Sequence, residues 1–177
     1  NAWGTGLIFN HEIDSIQNVT VAAGFTREIS ENADKTAYYS NAYALGLAYN
    51  FVHTTYGLDF AHKDTKNKGG AGNKVKNNEV TAVISQGLNE DWNVYAMYSY
   101  KTEKTLPVGS AYSKSTDRQF LVGTEYYVFK QGSVKVKPFI EWQATRTKYE
   151  NTFDKDSGKQ LDRSRDFKTV IGLRAYW

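Results

Sequence analysis

His11, His53 and His62 are the side chains best suited to acid–base work or metal binding in this 177-residue chain. None stands in a His-Glu-x-x-His or similar ligand spacing, and no cysteine is present to supply a thiolate or a disulfide. His53 falls in a short turn and the other two near strand ends, so all three read as exposed polar residues. His62 with Asp64 could form a catalytic pair at an outer rim, but solvated rim residues are the favoured reading. The run Gly69–Lys74, GGAGNK, has the composition of a phosphate loop without its GK[ST] ending or a following helix. Asn18-Val19-Thr20 matches a glycosylation acceptor but lies inside a strand-like run. Serine is plentiful, yet no nucleophile elbow stands out. The sequence therefore assigns no catalytic residue, no metal site and no cofactor.

The remaining chemistry is that of charges arranged along a wall. In RDFKTVIGLRAYW, Arg165–Trp177, every second residue (Phe167, Thr169, Ile171, Leu173, Ala175, Trp177) gives an apolar face. The other face, Asp166, Lys168, Val170, Gly172, Arg174 and Tyr176, is mostly polar or small. A period of two predicts a strand with one face in an apolar medium and one in a wetter one. The alternation recurs about nine times, beginning with AWGTGLIFNHEI at Ala2. Carried through the chain, this parity gathers Lys63, Lys101, Lys135, Lys137, Lys168 and Arg174 on the polar face, with Asp59, Glu79, Glu125, Glu141 and Asp166. Such a wall can hold water and steer ions. Lys135, Lys137 and Arg174 form one patch, predicting an excess of positive potential there, with Glu141 as a partner for Arg174. Gly172, on the polar face, is expected to accept serine at lower cost than Leu173 accepts arginine.

Composition agrees with strands: 13 Tyr, 9 Phe and 4 Trp, with only 2 Pro. The net charge of +3 is too balanced to argue for nucleic acid. No run approaches the ~20 apolar residues of a membrane helix. No signal peptide is read, since strand-like sequence starts at once. The connections sort by length. Short turns are predicted near Val52–Thr54, Asn89–Asp91 and Lys130–Gly132, and long polar loops near Glu31–Thr36, Asn67–Asn77, Thr102–Asp117 and Asn151–Arg163. The aromatics sort with them. Tyr49, Phe51, Tyr56, Trp92, Tyr126 and Trp177 fall at the short-turn end; Trp3, Phe25, Phe60, Tyr100, Phe120, Trp142 and Phe167 lie nearer the long loops. Two such belts suit the two interfaces of a bilayer. Phe167 to Trp177 extends roughly 33 Å, and a tilt of ~40° reduces this to about 26 Å of height, against the ~25 Å apolar band of membrane barrels.

The last run resembles the C-terminal strand of outer-membrane β-barrels, with Trp177 in place of the usual final phenylalanine. Over its full length the chain is similar in pattern to the C-terminal part of Gram-negative general diffusion porins. The resemblance implies an antiparallel transmembrane β-barrel in the bacterial outer membrane and passive diffusion of small hydrophilic solutes and ions. It further implies a homotrimer, contact with outer-membrane lipid and lipopolysaccharide, and recognition of the last strand by the barrel-assembly machinery. An odd count of strands, with Trp3 at the long-loop end, leads to the expectation that residues 1–177 are one N-terminally incomplete barrel domain, about nine strands of a sixteen-stranded porin. The alternatives are a complete eight- or ten-stranded closed barrel with a structural or adhesion role, and a soluble lipocalin-like barrel.

Overall fold

The computed structural model describes every residue except 33, 34, 36 and 154–157. The described residues form one antiparallel sheet of ten strands with no helix. In chain order these are β1 Ala2–Asp14, β2 Gln17–Glu31, β3 Ala37–Phe51, β4 Thr54–Lys66, β5 Lys74–Gly87, β6 Trp92–Leu106, β7 Ser113–Tyr126, β8 Phe129–Gln131, β9 Val134–Glu150 and β10 Arg163–Tyr176. Each long strand pairs with its chain neighbours in the order β1-β2-β3-β4-β5-β6-β7-β9-β10, and β8 pairs with β9. β1 and β10 are not joined to each other, so the sheet is open.

Nine strands are long, as the alternation predicts. The tenth, β8, is three residues folded back on β9 through a turn at Gly132, whose φ is 60°. It is too short to carry a period. The predicted loops Asn67–Asn77 and Thr102–Asp117 shrink to 67–73 and 107–112, because strand pairing continues into them. Both faces are polar there, so alternation disappears while the backbone ladder persists. The predicted loops Glu31–Thr36 and Asn151–Arg163 lie partly outside the described residues.

Residues directly opposite across an antiparallel pair share a face. The row through Leu7 runs Ala23, Leu45, Phe60, Val80, Tyr100, Arg118, Arg146, Arg165. The next row toward the short turns, from Phe9 through Val21, Leu47, Leu58, Ala82, Tyr98, Phe120 and Ala144 to Phe167, is apolar throughout. One row further but one, Gln17, Phe51, Thr54, Gln86, Val94, Thr124, Ile140 and Ile171 start polar and end apolar. The apolar band is thus oblique to the rows at both of its edges, descending toward the short turns from β1 to β10.

No hydrophobic side chain is buried among the described residues. Ser40, Thr65, Ser99 and Glu125, all on the polar face, are buried, as is Thr116. Along β5, the polar-face residues from Val75 to Ser85 are half-buried, while Lys76, Asn78, Val80, Ala82 and Ile84 opposite are exposed. Side chains crowd on a concave surface, so the sheet curls toward its polar face.

The short turns are linked edge to edge. Val52 N–H donates to Ile16 O (2.9 Å), Gly87 N–H to His53 O (2.8 Å) and Tyr127 N–H to Asp91 O (2.9 Å). Val52 adopts φ 55° in the β3–β4 turn, a conformation that costs an L-residue roughly 1–2 kcal/mol and a β-branched one most. Its side chain is more than half exposed, at 53%, and has little packing to lose. Val52→Asn should therefore raise stability by about 1 kcal/mol, read as a higher urea midpoint for the folded chain; a lower midpoint would show that the valine side chain is needed there.

Candidate functional site

The polar face holds every charge the alternation assigned to it. Asp59 and Lys63 lie on β4, Lys101 on β6, Glu125 on β7, Lys135, Lys137 and Glu141 on β9, and Lys168 and Arg174 on β10, all in matching register. Lys101 stands opposite both Glu79 and Asp117, and Lys168 lies 3.2 Å from Asp166. The aromatics Trp3, Tyr49, Phe51, Tyr56, Phe60, Trp92, Phe120, Trp142 and Phe167 all share the other face. Trp177 follows β10 at the same parity and is 91% exposed. Ring contacts link Trp3 to Phe25 (5.2 Å), Phe25 to Tyr43 (5.0 Å), Phe120 to Trp142 (6.5 Å) and Trp142 to Phe167 (6.1 Å).

At the short-turn end the polar face is knit together across four strands. Arg174 Nη1 donates to Glu125 Oε2 (2.5 Å) and Nη2 to Glu141 Oε1 (2.9 Å). Lys137 Nζ donates to Glu125 Oε1 (2.7 Å), and Tyr95 Oη donates to Glu141 Oε1 (2.6 Å). Arg174 also lies 4.3 Å from the centre of the Phe139 ring, and Lys137 4.8 Å from that of Tyr127. Planar forks and carboxylates in this arrangement make charge-assisted hydrogen bonds, stronger than neutral ones. Two glycines create the space. Tyr95 lies across Gly123, where an added Cβ would come within 2.5 Å of the ring, and Phe139 lies across Gly172, at 2.7 Å. A serine at Gly172 must therefore displace Phe139 from beneath Arg174, which removes the basis for expecting a mild effect there.

The anticipated cationic patch is also corrected. Lys137 and Arg174 face Glu125 and Glu141 at hydrogen-bond distance, so these four charges cancel. Only Lys135 adds a cation, and it is exposed. The Arg174–Glu141 contact was legible from parity; Tyr95, Tyr127 and Phe139 were not. The signal for the tyrosine and the phenylalanine is a glycine directly opposite, Gly123 for Tyr95 and Gly172 for Phe139, which appears only once register is known.

The histidines do not converge. His62 Nε2 is 2.9 Å from Asp64 Oδ2 and its Nδ1 2.6 Å from Asn78 Oδ1, on the aromatic face near the long loops. Neither partner is a hydroxyl or a thiol that the imidazole could deprotonate for attack. Among the described residues no three His, Cys, Asp or Glu side chains gather as metal ligands. No protein-family model, no curated protein and no solved structure matches the chain.

Glu125 is the hub of the network, its side chain only 10% exposed. Glu125→Gln should cost about 2 kcal/mol, because two cations lose a charged acceptor. Adding Lys137→Met should recover part of that loss, whereas independent residues would give additive costs. Urea unfolding of the two single variants and the double variant measures the coupling; strict additivity would remove Glu125 from its central place.

Proposed function

We propose that this chain forms the wall of a bacterial outer-membrane β-barrel of porin type, whose polar, concave face lines a water-filled passage for small hydrophilic solutes and ions. The observation that carries the reading is the oblique apolar band. Strands of a membrane barrel tilt by ~35–45°, so a level slab of lipid must cut their cross-strand rows at an angle. The slant has the same sense at both edges of the band. A soluble sheet, burying its apolar face against a second layer, has no requirement for such a slant.

Three further features support it. The apolar face is large and exposed, with no hydrophobic side chain buried among the described residues, and lipid would cover it. The β1–β2, β3–β4 and β5–β6 turns at one end are short, with β7–β9 lengthened by β8, and longer connections lie at the other end, the asymmetry of outer-membrane barrels. The covered face is the polar one, the reverse of a soluble lipocalin-like barrel, which keeps its apolar residues inside. A closed small barrel with a structural role is the second reading. The specific observation in its favour is the neutral Glu125–Arg174–Glu141–Lys137 network, which resembles the paired filling of a narrow lumen.

Leu173 discriminates lipid from water. It is 71% exposed on the apolar face. Leu173→Arg should cost ~2–4 kcal/mol in lipid vesicles near mid-bilayer, whereas on a water-exposed surface the same change is nearly neutral. A cost near zero in vesicles would overturn the membrane reading.

Conductance separates the two barrel readings. Planar-bilayer recording should show channels, and Glu125→Gln with Glu141→Gln should shift the reversal potential toward anions at low salt. The shift should fade at 1 M salt, where the Debye length is about 3 Å. Inserted protein without conductance would select the closed barrel.

A further inference from the structure

On the apolar face, just toward the long loops from the aromatic belt, lies a set of cations that solute passage does not use. Arg118, Arg146 and Arg165 occupy one cross-strand row on β7, β9 and β10. In the next row Lys148 stands opposite both Thr116 and Arg163, and beyond it Lys114 stands opposite Glu150. Glu150 contacts Lys114 at 3.9 Å and Lys148 at 3.7 Å, and Asp162 lies 3.8 Å from Arg163. Among the described residues no carboxylate lies within ion-pair distance of Arg118, Arg146 or Arg165. Like charges placed directly opposite repel, so this row is unfavourable unless something anionic is shared between its members. A depression of about 290 Å³ lies here, lined by Arg118, Arg146, Lys148, Arg163 and Glu150 among others, with Arg165 beside Arg146 in register but not on its wall.

The surface immediately below is of the opposite kind. Phe120, Ala144 and Phe167 form the adjoining row on the same three strands, and Trp142 follows, in contact with both phenylalanines. Ala144, the smallest of the three, stands between the two phenylalanines in register. A ligand that satisfies both zones has an anionic head and apolar tails. Three guanidinium forks at successive strand spacings of ~4.8 Å suit the oxygens of a phosphate group, which arginine binds bidentately. At a membrane interface the reduced dielectric strengthens such contacts.

We propose that Arg118, Arg146 and Arg165 hold the phosphate of a phosphorylated lipid whose acyl chains lie along Phe120, Trp142 and Phe167. The assignment rests on the membrane reading above and adds to it a fixed lipid site on the outer wall. The ligand bridges β7, β9 and β10 on the outer face near the long loops, while the ion-pair network links the same strands on the inner face at the short-turn end.

The test uses the 177-residue chain folded in maltoside micelles, with native mass spectrometry against dioleoyl phosphatidic acid, dioleoyl phosphatidylcholine and inorganic phosphate. Phosphatidic acid should bind about tenfold tighter than phosphatidylcholine, a difference of about 1.4 kcal/mol. Excess inorganic phosphate should not displace it. Arg118→Gln/Arg146→Gln/Arg165→Gln should abolish the preference, and Lys63→Gln/Lys101→Gln on the polar face should keep it. Arg146→Gln alone gives a second readout that does not depend on a triple variant folding. It should raise the urea midpoint in phosphatidylcholine, by relieving repulsion, and reduce the gain in midpoint that phosphatidic acid confers. Unchanged preference in the triple variant would overturn the site, and full displacement by inorganic phosphate would reduce it to a simple anion patch. Failure of the chain to enter micelles, seen as water-exposed tryptophan emission, would overturn the membrane reading as well; insertion without lipid preference would overturn this assignment alone.

Discussion

A slip of one residue between β9 and β10 would carry Leu173 and Phe167 to the concave side and take Arg174 to the convex one, away from Glu125. Register is the constraint on which the rest of the molecule depends. It holds over nine long strands with one irregularity, between Glu12 and Asp14. The backbone ladder alone does not select among registers, since a slipped ladder makes nearly as many hydrogen bonds. Selection comes from the two faces, whose side chains require different solvents, and from turns only a few residues long. Where both faces are polar, as along Lys74–Asn78 and Thr102–Leu106, the neighbouring alternating segment sets the pairing.

This explains what the sequence disclosed and what it did not. Period-two runs such as Val94, Ala96, Tyr98 and Tyr100 show each strand and its faces without reference to any neighbour, so the polar and apolar sets were legible residue by residue. Strand ends were not, because Thr102–Leu106 and Ser113–Asp117 look like loop when only polarity is considered. Contacts between strands were legible only where charge complementarity hinted at them, as for Arg174 with Glu141. The sign of the short-turn-end patch was lost because it depends on which carboxylate reaches which cation. Glu125 is two residues from Gly123 in sequence, and nothing in its run shows that Lys137 and Arg174 meet there.

The two faces divide the electrostatic work. Within the curve, cations and carboxylates are interleaved, and the four-charge group at the short-turn end is neutral. On the outside near the long loops, arginines stand in line with few acids among them. Interleaved charges stabilise a wall without demanding counterions, and uniform charge creates a demand for them. β7, β9 and β10 carry both patterns, one on each face.

Each long strand pairs through its backbone only with its neighbours in the chain, and side chains such as Arg174 with Glu125 reach one strand further. Such an arrangement is nearly one-dimensional, closer to a repeat array than to a globule. The smallest unit that can be gained or lost without reversing the direction of everything after it is a hairpin. Duplicating β3 with β4, for example, would widen the sheet by two strands and leave every other pairing intact. Adding one strand would instead turn all later loops to the opposite end. The width of this sheet therefore grows in steps of two, and a lineage can change it by copying a hairpin without redesigning a core.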